Sequence, residues 1–196
     1  KHSRREMRKQ KKEREKVRKN PIKAGLGWLF QIIVVILFAY IAVFFFGQSR
    51  TNIGQAMNST LSGGDVVLLN ELSYRFSGPS REDVISFKLN GSEDTHSYIR
   101  RVIGLPGETV QIREGKIYID GNELIEHFGE EKIEQAALAS EPITLGEDEY
   151  FVLGDNRNKS DDSRYENVGN LKRNKIVGRA WVRIWPLDRI CVVRHQ

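Results

Sequence analysis

The most constraining stretch of the chain is Ala24 to Phe46, AGLGWLFQIIVVILFAYIAVFFF, 23 residues without a charge and with a single amide, Gln31. As a helix rising ~1.5 Å per residue it would extend about 34 Å, enough to cross a hydrocarbon core of ~30 Å. A cleavable leader has a shorter apolar core of ~7–15 residues and a small-residue exit. Here the run passes instead into FFFGQSR, so the sequence predicts a retained transmembrane anchor. Trp28 suits an interfacial depth, and Tyr40 either a near-interfacial one or the interior of the span.

Charge fixes the expected orientation. Residues 1–23 hold 12 Lys or Arg against 3 Glu, a net of +9, so the remaining 24–196 carry −4 of the chain's overall +5. The basic character belongs to the tail. Placed directly before an apolar span, such a tail predicts a cytoplasmic N-terminus in contact with the lipid bilayer and an extracytoplasmic domain after Gly47. A domain with no basic surplus is a poor nucleic-acid binder, and no nucleic-acid partner is expected. Lys1–Asn20 has no apolar face and reads as a solvated charged segment, with Pro21 marking a break or a first helical turn.

From Thr51 onward the pattern changes to short apolar or alternating runs between turn residues. Residues 65–70, 83–89, 97–103, 109–113 and 116–120 read as strands rich in Val, Ile, Tyr and Phe, followed by 149–154 and 175–187, the last with a bulge at Gly178. Glu114-Gly115 and Asp120-Gly121 are hairpin signals. Residues 129–140 form the one soluble stretch that could be a short helix, the alternative being only an insertion or loop. The expected organisation is a tail (1–23), an anchor (24–46) and a mainly β, antiparallel domain (47–196), with a small insertion at about 121–148.

Chemistry is constrained by what is missing. A single cysteine, Cys191, rules out an internal disulfide and a thiolate metal site. His2, His96, His127 and His195 are scattered, which suits structural rather than triad roles. The loop Gly154–Arg164, GDNRNKSDDSR, repeats oxygen donors as a calcium loop does. It lacks the glycine at the sixth position and the glutamate at the twelfth, counted from Asp155 or Asn156, so no metal is expected.

Taken in order, GQAMNSTL with GDVV, then YIRRVIGLPGE, then GDNRNKSDDSR, all after one N-terminal anchor, resemble the boxes of bacterial type I signal peptidase of the short Gram-positive kind. The resemblance implies a membrane-anchored β-fold serine endopeptidase that removes signal peptides on the outer face of the membrane. Its chemistry would use a serine nucleophile and a lysine base, with neither cofactor nor metal. Met57, Thr60 and Leu61 match the first box, but its nucleophile position is Ala56 and its proline position is Ser59. Tyr98, Ile99 and Arg101 match the later box, but its general-base position is Arg100. By the same resemblance Gly54 lies at the oxyanion pocket, Ser160 orients the base, Asp155 partners Arg101, and Asp162 with Arg164 braces the site.

Alanine has no oxygen with which to attack a carbonyl, and arginine keeps its proton in proteins. Ser49, Ser59 and Ser62 are poor substitutes, since displacing a reacting group by ~1 Å can lose about 10²-fold in rate. The sequence therefore predicts a chain that does not cleave. One reading is a natural non-catalytic relative that binds preproteins or, like relatives found in pilus gene clusters, assists assembly of pilin subunits; Ser59 favours it. The other is an active enzyme inactivated in the laboratory, which two such conservative replacements would suit. On both readings the cleft takes an extended peptide with small residues near the cleavage point.

Overall fold

The computed structural model describes residues 6–9, 21–46, 48–89, 97–129 and 131–195, without the side chains of 21–24, 41–46, 75 and 76. His2, His96 and most of the basic tail lie outside these residues. The chain divides into two compact units, 1–44 and 45–196.

Most of the described residues of the first unit belong to a long helix, α1, Pro21–Phe46; residues 6–9 are also helical. The described side chains of α1, residues 25–40, are all exposed. Among the described residues no helix is long and apolar enough to cross a membrane.

The second unit is mainly β, with every paired strand antiparallel. Its strands are β1 (Ser49–Thr51), β2 (Val66–Asn70), β3 (Val84–Phe87), β4 (Tyr98–Gly104), β5 (Thr109–Arg113), β6 (Lys116–Ile119), β7 (Asn122–Glu123), β8 (Ile143–Thr144), β9 (Glu149–Leu153), β10 (Leu171–Lys172), β11 (Ile176–Trp185) and β12 (Cys191–Val192). The larger sheet has the order β1-β2-β11-β3-β4-β9-β10, with β12 added to β11, and the smaller the order β7-β6-β5-β8.

Local sequence explains most of these elements. The turns Glu114-Gly115 and Asp120-Gly121 have positive φ at both residues, 52° and 81°, then 50° and 81°. That mirror-image geometry matches strand twist and closes the β5–β6 and β6–β7 hairpins. The register of β11 on β3 slips between Ile176 and Gly178, where the sequence places a bulge. Of the two readings of 129–140, a short helix or an insertion or loop, the described residues follow the second. Only a 3₁₀ turn, Ala137–Ser140, is present, and the preceding residues are held by longer-range bonds such as Glu134 N to Asn158 Oδ1. A segment tied to a distant loop needs no periodic face of its own.

Three apolar clusters fill the domain. Met57, Leu61, Val67, Leu69, Val84 and Ile99 form one, and Ile85, Phe87, Val102, Tyr150 and Val152 another. The third joins the β5–β6 hairpin to β4 and β9 through Ile103, Val110, Ile112, Phe151 and Leu153. Central β4 contributes Ile99, Val102 and Ile103 to three different clusters, which fixes its position before any polar contact is considered. Phe151→Ala, emptying the third cluster, is expected to lower the free energy of unfolding by about 3–5 kcal/mol. Urea titration of the full chain in detergent, followed by the fluorescence of Trp181 and Trp185, measures it; a loss below ~1 kcal/mol would mean that the hairpin does not share the core.

Candidate functional site

The site is organised by the two-residue period of β4. Successive side chains in a strand point to opposite faces, so Arg100 and Arg101 part company: Arg101 enters the interior, while Arg100 turns to the side of its neighbour Tyr98, whose ring centre lies 5.5 Å from the guanidinium carbon.

Arg101 is completely buried. Its Nε and Nη2 donate to the two carboxylate oxygens of Asp155, both at 2.8 Å, in a bidentate pair with no exposure on either side chain. Nη1 donates to the carbonyls of Glu82 (2.7 Å) and Arg194 (3.1 Å), and Nη2 also reaches Thr60 Oγ1 at 3.2 Å. All five N–H groups are thereby spent. Thr60 Oγ1 donates in turn to Asp155 Oδ2 at 2.5 Å, and the Phe128 ring centre lies 3.5 Å from the guanidinium carbon.

Thr60 ties this pair to the loop that carries Ala56. The loop turns tightly, with Thr60 N and Leu61 N both donating to Met57 O, and fully buried Met57 anchors it in the core. Asn52 Nδ2 holds its far end through the carbonyls of Leu61 and Ser62, each at 3.0 Å. Gly54 has φ +79°, a conformation that disfavours any side chain. Ser59 has φ +100°, which the ring of proline, locked near −65°, cannot adopt. The amides of Gln55 and Ala56 donate to no acceptor among the described residues.

The loop after β9 closes the site from the other side. Asn156 N donates to Ala56 O at 3.0 Å. A side chain at Gly154 would meet Ser160 Oγ at 2.2 Å and Ala56 O at 2.5 Å, so only glycine lets the two loops approach. Asp162 accepts from Gly154 N (3.2 Å) and from Arg164 Nε and Nη2 (2.8 and 2.9 Å), all buried. Arg157, to which the sequence assigns no role, bonds Gly154 O and forms a short ion pair with Glu126. Burial raises the Glu126 carboxyl above its ordinary value in spite of Arg157.

Ala56 and Arg100 line one cavity of about 340 Å³ together with Gly54, Gln55, Tyr98 and Lys159. Arg100 is 5% exposed. Its Nε donates to Asp161 O at 2.8 Å and its Nη1 to Ile99 O at 2.7 Å. Burial lowers its pKa below the ordinary guanidinium range, and Asp162 and Asp161 oppose the shift through their charge. Ser160, expected to orient a base at position 100, instead keeps a buried hydroxyl with no hydrogen-bond partner among the described residues. A larger cavity of about 690 Å³, lined by Thr60, Phe128, Asp155 and Val192 among others, includes neither Ala56 nor Arg100. The described residues hold no cluster of His, Cys, Asp or Glu suited to a metal ion.

These loops and strands fall within residues 25–185, which match the family model of signal peptidase, peptidase S26. The chain belongs to the signal peptidase family. It is 35% identical to a probable signal peptidase I-2 of a Synechocystis strain over 150 residues, 74% of this chain and 66% of that one. It is 29% identical to signal peptidase I P of Bacillus subtilis subsp. natto, over 91% and 97% of the two chains. A solved signal peptidase I from Enterococcus faecalis is 35% identical and covers 53% of this chain and 97% of its own, with a TM-score of 0.42.

The supporting shell extends behind Arg101 to the segment around His195. Val193 N donates to Trp181 O, and His195 Nδ1 accepts from Val84 N at 3.1 Å while lying 3.6 Å from Asp83 Oδ1. Desolvation lowers the imidazole to about 4; Arg179 and Arg101 deepen the shift and Asp83 opposes it. Unfolding restores the ordinary 6.5, so the unfolded chain takes up the proton first. The contribution to stability is therefore complete above pH 6.5 and lost as pH falls through about 4. His195→Gln is expected to reduce the difference between urea midpoints measured at about pH 7 and about pH 4.5, and an unchanged difference would contradict it. The Arg101 pair itself can be tested by a double-mutant cycle. Arg101→Met alone strands a buried carboxylate and should cost about 3–5 kcal/mol. The double variant Arg101→Met/Asp155→Leu should cost clearly less than the sum of its singles, and additivity would refute the pairing.

Proposed function

We propose that this chain is a membrane-anchored, non-catalytic signal peptidase relative, whose cleft binds the extended peptides of preproteins or pilin subunits without hydrolysing them. One observation carries the reading: the cavity of a peptidase fold is lined by Ala56 and Arg100, the positions at which the family resemblance puts nucleophile and base. A methyl group cannot form an acyl-enzyme, and a guanidinium, even with its pKa lowered by burial, does not act as a base at neutral pH. The retained shell of Arg101, Asp155, Asp162 and Arg164 supports a cleft that keeps its shape. Main-chain pairing with an extended peptide would then supply affinity in the absence of chemistry.

The membrane assignment rests on sequence. The full 26 residues of α1 include the uncharged run 24–46, and the basic residues before it favour a cytoplasmic N-terminus with the β domain on the outer side. The other reading, an active signal peptidase I altered in the laboratory, is favoured by the conservative nature of both replacements. Ser59 stands against it: its φ of +100° excludes the proline of the family box, so the loop differs at a position that inactivation need not touch.

Purified full chain in detergent is expected to release no product from a preprotein with a signal peptide; site-specific processing, seen by gel and mass spectrometry, would overturn the proposal. The double variant Ala56→Ser/Arg100→Lys separates the two readings. A return of cleavage, about 10²-fold or more above either single variant, would favour the inactivated enzyme. Continued inertness with peptide binding intact would favour a dedicated binding protein.

A further inference from the structure

Among the described residues four arginines of the domain are buried, and three of them have carboxylate partners: Arg101 with Asp155, Arg157 with Glu126, and Arg164 with Asp162. Arg100 has none among the described residues. Its two hydrogen bonds run to main-chain carbonyls, and among the described residues Nη2 donates to nothing. Asp162 and Asp161 act on it only through their charge at a distance: Asp162 is committed to Arg164 and to Gly154 N, and Asp161 is bonded to Arg100 through its main-chain carbonyl alone. A buried cation without a direct ion-pair partner is costly to desolvate, and an anionic ligand would offset that cost.

The surroundings suit such a ligand. Arg100 lines the cavity beside Ala56, and the amides of Gln55 and Ala56, which donate to no acceptor among the described residues, belong to residues lining the same space. Gly54, at φ +79°, turns the backbone there as in the concave amide nests that hold anions. The charged residues lining the cavity are the cations Arg100 and Lys159 and the single anion Asp161, a net positive charge. A volume of about 340 Å³ admits a few residues of a peptide.

We propose that this cleft is a carboxylate site: Arg100 and the Gln55–Ala56 amides receive a peptide carboxylate, so that the chain retains peptides bearing a free acid rather than an uncleaved chain running through. The inference rests on the peptide-binding reading above and narrows it to one ligand chemistry. A guanidinium fork matches a carboxylate in a way that a neutral peptide bond does not.

The test is fluorescence anisotropy with the full chain in detergent and three short, alanine-rich, fluorescein-labelled peptides of one sequence. One ends in a free acid, one in an amide, and one in an aspartate amide whose only carboxylate is the side chain. The free acid is expected to bind about tenfold more tightly than the amide, and Arg100→Gln is expected to abolish the difference. Tight binding of the aspartate amide as well would assign the site to side-chain carboxylates too; its failure would restrict the site to chain ends. Equal binding of acid and amide would overturn the carboxylate site while leaving the peptide cleft standing, and no binding of any peptide would overturn both. The comparison within the unaltered protein decides the matter even if Arg100→Gln does not fold.

Discussion

The Arg101–Asp155 pair sets the geometry on which the rest of the site depends. Buried ions of this kind are expensive to desolvate, and they persist only when every donor and acceptor around them is answered. Here the answering groups come from far apart in the chain: Glu82 before β4, Thr60 in the loop that carries Ala56, and Arg194 near the other end. One guanidinium thus joins three segments that the sheet alone would leave independent. The interaction adds little net stability beyond an apolar substitute, but it specifies how the Ala56 loop and the loop after β9 sit together.

That division of labour explains how fold and activity can separate. Nothing in the supporting shell requires an oxygen on residue 56 or a titratable amine at residue 100. The core sees residue 56 as a small side chain, and β4 sees residue 100 as a long cationic one whose donors find carbonyls. The packing is therefore satisfied by the size of residue 56 and the length of residue 100, independently of their chemistry.

Much of the domain is legible in the sequence. The strands stand out because apolar alternation and glycine turns are local signals, and Asp155, Asp162 and Arg164 can be picked out because their box resembles a family. Residues 129–140 stay ambiguous in the sequence because their composition suits a helix while their contacts, such as that with Asn158, are long-range. The acceptors of Arg100 and Arg101 are invisible in the sequence, for they are main-chain carbonyls of Asp161, Ile99, Glu82 and Arg194, which have no residue signature. Thr60 and Arg157 sit inside recognised motifs, yet only the folded chain shows which neighbour each one bonds.

The claim that the buried pair fixes the cleft is tested most directly by native-state hydrogen exchange on the full chain carrying Asp155→Asn. The amides of Asn156 and Leu61, bonded to Ala56 O and Met57 O, should lose protection, while those of Gln111 and Tyr118, paired across the β5–β6 hairpin, keep theirs. Unchanged protection at Asn156 and Leu61 would contradict the claim, because the two loops would then hold their positions without the ion pair.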